Sequence, residues 1–61
     1  MSMTPKEMVS LLEKNGFVKV RQKGSHAMFK NIVTKRQVTV PMHAKDLPKG
    51  LESAIKKQAG I

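Results

Sequence analysis

The 61-residue chain contains no cysteine, no tryptophan and no tyrosine. Without cysteine there is no disulfide, no thiolate metal site and no cysteine nucleophile, and the absence agrees with a reducing cytoplasm. Two histidines alone fall short of a typical structural zinc site. Aromatic side chains are limited to Phe17 and Phe29, which the pattern places in or near a core. Single-strand readers of the RNA-recognition-motif and OB types stack bases on exposed aromatics, and none is spare here. Acid is scarce too: Glu7, Glu13, Asp46 and Glu52 are the only carboxylate side chains, and they are dispersed. That argues against the paired carboxylates of glycosidases and two-metal nucleases. No apolar run approaches the ~18 residues that span a bilayer, and the opening MSMTPKEM lacks the apolar stretch of a secretory signal. The expectation is a cytoplasmic protein with no membrane contact, no metal and no cofactor.

What is present is positive charge. Twelve Lys and Arg against four Asp and Glu give a formal net charge of +8. That exceeds what solubility asks of a small domain and favours a polyanionic partner: nucleic acid or an acidic protein ahead of an anionic membrane. Residues 1–61 read as one domain. A chain this short buries only ~60% of its unfolded surface. Disulfides and metals being absent, a partner protein is the remaining way to reinforce it.

Thr4 and Glu7 form a capping box with Pro5 at the first helical position. Met8, Leu11 and Leu12 make an apolar stripe, and Asn15-Gly16 supplies a left-handed stop, so a helix runs from Pro5 to Lys14. From Phe17 the period becomes two. Strands are expected from Phe17 to Gln22, from His26 to Lys30 and from Arg36 to Val40, joined by a turn at Lys23-Gly24-Ser25 and another tipped near Thr34-Lys35. Pro41 ends the third. Short connections imply an antiparallel meander. Met42 to Pro48 is irregular, and a second helix follows from about Lys49 to Ala59, with Leu51 and Ile55 on one stripe and Gly60 as its stop. The fold class is α+β, in the order α-β-β-β-α: a three-stranded antiparallel sheet with both helices on one face. Double-stranded-RNA-binding domains share this order.

Alternation assigns the sheet's faces. With Val18, Val20, Ala27, Phe29, Val38 and Val40 toward the helices, the outer face carries Lys19, Arg21, His26, Met28, Lys30, Gln37 and Thr39. Such a face, cationic and free of carboxylate, suits a phosphate backbone. A solvated face is polar in any case, however, and edge lysines also block unwanted strand pairing. His26 stands at a turn–strand junction beside Gly24, which admits a ligand close to the backbone, and Ser25, whose hydroxyl can orient an imidazole or a phosphate.

A helix-turn-helix needs consecutive helices, and here three strands intervene. Imidazole, hydroxyl, lysine and arginine are what remain for chemistry. They suffice for metal-free cleavage of RNA, in which the 2′-hydroxyl is the nucleophile and the protein supplies a base, an acid and cations. DNA lacks that hydroxyl. Histidine suits proton transfer near neutral pH. Spacing alone leaves His26 open between a catalytic group and an ordinary surface histidine. It leaves His43 open between a second acid–base group and a loop residue held by local hydrogen bonds. Lys23 and Lys30 are further candidates for the acid.

Leu12-Glu-Lys-Asn-Gly-Phe17 followed by Val20-Arg-Gln-Lys-Gly-Ser-His26, Val38-Thr-Val-Pro-Met-His43, and Gly50 with Ile55-Lys-Lys-Gln-Ala-Gly60 together resemble the HicA toxin family. Each piece is weak alone, but in this order and spacing they are specific and run through nearly the whole chain. The resemblance implies a double-stranded-RNA-binding-like fold and ribosome-independent cleavage of mRNA. It implies His26, in Gly-Ser-His, as the catalytic residue, and a HicB-type antitoxin that covers the active site in a toxin–antitoxin hetero-oligomer. RNA would be held by Lys19, Arg21, Lys23, Gly24, Ser25 and Lys30. The chain departs from the family in carrying Ala27 where many members have a second histidine or a bulky residue. It also has Leu51 where threonine is common after the helix glycine. Two alternatives stay open: a non-catalytic double-stranded-RNA-binding module, and a degraded toxin kept only to bind its acidic partner.

Overall fold

The computed structural model describes residues 2–61. Its elements are α1 (Pro5–Lys14), β1 (Phe17–Lys23), β2 (His26–Asn31), β3 (Gln37–Pro41) and α2 (Lys49–Ala59). The strands form an antiparallel meander in the order β1-β2-β3. The expected α-β-β-β-α architecture is therefore the observed one, with both helices matching the expected limits.

Local chemistry explains the helix ends. The Thr4 hydroxyl accepts from the Glu7 amide at 3.1 Å, and the Glu7 carboxylate accepts from the Thr4 amide at 2.8 Å, which closes the capping box. Gly16 leaves α1 at φ +87°, in the left-handed region where a side chain would be strained. At the far end, Gly60 adopts φ +80°, and the Ile61 amide donates to the Lys56 carbonyl at 2.9 Å. Arg36 closes that terminus from outside by donating to the Gln58 carbonyl at 3.2 Å.

The core lies between the helices and one face of the sheet. Met8 and Leu12 come from α1, and Ile55 and Ala59 from α2. The sheet adds Phe17, Ala27, Phe29, Val38 and Val40, and the connecting segment adds Leu47. The expected α2 stripe is shifted by one turn: Leu51 is exposed and Ala59 is buried in its stead. Leu47 is held in place by its amide, which donates to the Met3 carbonyl at 2.8 Å.

The face assignment holds for β2 and β3 and fails for most of β1. Val18 and Val20 are 45% and 54% exposed rather than buried. Side chains directly opposite across an antiparallel pair share a face. Phe17 lies opposite buried Asn31 and Lys19 opposite buried Phe29, so Lys19 is on the helix side; Val18 lies opposite Lys30 on the open side. Between Lys19 and Arg21 the register shifts, and this bulge leaves Val20 without a partner. Phe17, the residue after the helix stop, enters the core and sets the phase; the bulge then restores Arg21 to the open face, opposite Met28. A strict two-residue alternation misses both effects.

Candidate nucleic-acid interface and catalytic site

The turn that carries His26 is built by two residues. Gly24 has φ +59° while Ser25 stays at negative φ, the arrangement of a two-residue II′ hairpin loop. A Cβ at Gly24 would meet nothing within 4 Å, so the glycine is needed for backbone conformation and leaves open space on its outer side. Gln22 braces the loop by donating its amide nitrogen to the Gly24 carbonyl at 3.1 Å. His26 follows as the first residue of β2, exposed, with Lys23 opposite it on β1 and Pro41 opposite it on β3.

The ladder between β2 and β3 continues one step beyond the strands. The Met42 amide donates to the Ser25 carbonyl at 2.6 Å, and this bond carries the chain after Pro41 back past the turn. It brings His43 beside His26, with ring centroids 6.2 Å apart and planes inclined by 67°. Both rings are exposed. The fold thus sets His43, a residue of the irregular segment, next to His26.

The open face of the sheet carries Val18, Arg21 and Lys23 from β1, His26, Met28 and Lys30 from β2, and Gln37 and Thr39 from β3. Among the described residues the one ion pair is Lys56–Glu52 on α2 at 3.1 Å, so Arg21, Lys23 and Lys30 have no carboxylate partner there. Three cations and two imidazoles on one surface make a potential that attracts phosphates. Lys19 stands apart: it lies on the helix side at the β1 edge, where its ammonium donates to Gln22 at 2.8 Å. Of the sequence-derived candidates, the structure gathers Arg21, Lys23, Gly24, Ser25, Lys30 and His26 and sets Lys19 aside from their face. Val20, expected on the helix side, joins this face beside Arg21 and Met28.

No three His, Cys, Asp or Glu side chains converge to hold a metal ion among the described residues. Nor is any helix among them long and apolar enough to cross a membrane. What the surface offers chemically is proton transfer by imidazole next to fixed positive charge.

No curated protein sequence matches the chain. Residues 5–61, nearly its whole length, match the family model described as HicA toxin of bacterial toxin-antitoxin. The Gly24-Ser25-His26 turn and the Pro41-Met42-His43 segment, which carried the resemblance in sequence, are the two segments the fold draws together, and the chain belongs to the HicA toxin family.

Proposed function

We propose that this toxin is a metal-independent endoribonuclease of residues 1–61 that cleaves mRNA without the ribosome, with His26, the catalytic residue the resemblance implies, as its base and His43 as its acid. The observation that carries this reading is the pair His26 and His43, 6.2 Å apart on a carboxylate-free face with Arg21, Lys23 and Lys30. His26 takes the proton of a ribose 2′-hydroxyl as that oxygen attacks the adjacent phosphorus. The bond from phosphorus to the 5′-oxygen breaks, and the departing oxygen takes a proton from His43. The products are a 2′,3′-cyclic phosphate and a 5′-hydroxyl end. Arg21, Lys23 and Lys30 offset the charge that gathers on the phosphoryl oxygens. Gly24 leaves the backbone open to the strand. Ser25 binds beside it, and Lys19 meets RNA that wraps the β1 edge.

A toxin of a toxin–antitoxin family has an antitoxin partner. We assign it to the HicB type, acidic, bound over the His26 face in a cytoplasmic hetero-oligomer. Such a complex also reinforces a chain too small to bury much of its own surface.

The test uses the purified chain, a labelled RNA oligonucleotide and the same oligonucleotide with 2′-deoxy sugars, in the presence of a metal chelator. Cleavage of the RNA alone is expected. His26→Ala removes it, and His43→Ala lowers the rate by roughly 10²–10⁴-fold. Cleavage of the deoxy strand, dependence on metal, or full activity of His26→Ala contradicts the mechanism.

A further inference from the structure

A solvated sheet face has no need of apolar side chains, yet this one has them. Val20 is 54% exposed, and Met28 stands beside it, half-buried. With Arg21, Lys30 and Gln37 they line a depression of about 360 Å³ on the open face. The phase set by Phe17 turns Val20 to this face, where it has no cross-strand partner, and the bulge brings Arg21 there beside it, opposite Met28. Bulges of this kind recur beside active sites, where they re-aim a side chain. Met28 lies two residues beyond His26 on the same strand and the same face, about 7 Å along β2.

We propose that this depression is a base-binding subsite for the nucleotide next to the cleaved phosphodiester, with Gln37 as the residue that reads the base. The inference rests on the ribonuclease reading. The floor of Val20 and Met28 receives the flat face of a heterocycle and supplies the apolar contact that exposed aromatics provide in other RNA readers. Arg21 and Lys30 stand at the rim without a carboxylate partner among the described residues and match the charge of the flanking phosphates. The Gln37 side chain, exposed on β3 opposite Lys30, offers an acceptor and two donors in one plane, the pattern that pairs with a base edge. A protein side chain seated there would gain from the apolar floor but would not account for the two unpartnered cations and the planar amide around it.

The experiment measures binding rather than cleavage, so it is independent of turnover. The full chain carrying His26→Ala is titrated with oligo-A, oligo-C, oligo-G and oligo-U, then compared with the same chain also carrying Gln37→Ala or Arg21→Ala. One homopolymer is expected to bind about tenfold better than the weakest. Gln37→Ala collapses that spread to about twofold while keeping the salt dependence, whereas Arg21→Ala weakens all four alike. Gln37 is exposed, so its replacement leaves the fold intact, which far-ultraviolet circular dichroism checks. An unchanged spread in Gln37→Ala, or no spread in the parent, overturns the subsite. Failure of the parent to bind any of the four overturns the ribonuclease reading itself.

Discussion

Asn31 is the buried polar side chain of the described residues, and it is fully employed. Its amide nitrogen donates to the Asn15 carbonyl at 2.9 Å, while its oxygen accepts from the Val33 and Thr34 amides at 2.9 and 3.0 Å. One side chain thus joins the end of α1 to the β2–β3 turn. Asn31→Ala removes three hydrogen bonds and is expected to cost about 1–3 kcal/mol in urea unfolding. A cost below ~0.5 kcal/mol would mean that water replaces them without loss. At this scale the turn that carries His26 was legible, because a glycine, a serine and a histidine in succession are all local. The sequence was silent on Asn31, which reads simply as the start of a turn. It left His43 undecided, because the contact with His26 depends on a ladder bond between Met42 and Ser25, seventeen positions apart. Neither long-range pairing leaves a periodic trace.

Helices were the most legible elements. The capping box of α1 and the glycine stop of each helix are local signals, so α1 and α2 have the limits the residues suggest. Strands were legible in position but not wholly in orientation. The phase of β1 is set by where Phe17 enters the core, which turns Val18, Lys19 and Val20 opposite to their expected faces, and the bulge then returns Arg21 to the open face. At the element scale α2 is also tied to the N-terminal segment. Glu52 accepts from the Lys56 ammonium at 3.1 Å and from the Met3 amide at 3.2 Å. Lys56 first, and then the Met3 amide, hold its carboxyl below the ordinary glutamate range. A depressed carboxylate stabilises the fold above the unfolded value, ~4.3, and loses that contribution as pH falls through its folded value. Wild type should therefore melt above Glu52→Gln at pH 7, with the gap closing as pH falls below about 4. A gap that persists in acid would assign the difference to packing.

The whole molecule combines a core of ten buried apolar side chains with a net charge of +8. The helices cover one face of the sheet and leave the other open. If RNA lies on that open face, contacts from Arg21, Lys23 and Lys30 give a log–log slope of affinity against salt of about −2 on single strands. Removing one of the three should lessen the slope by about 0.7. A salt-independent affinity would move RNA off the open face. Charge of this size was plain from composition, but the placement of Arg21, Lys23 and Lys30 on one surface follows from the pairing register. Because His26 is exposed, its replacement by alanine should alter stability by no more than ~0.5 kcal/mol, which makes it a clean probe in cells. Induced expression of wild type and His26→Ala, with growth and total mRNA followed in the same cultures, decides whether His26 carries a ribonuclease activity. Arrest and mRNA loss are expected from wild type, and neither from a folded His26→Ala protein. Equal arrest and mRNA loss from both would contradict that role of His26.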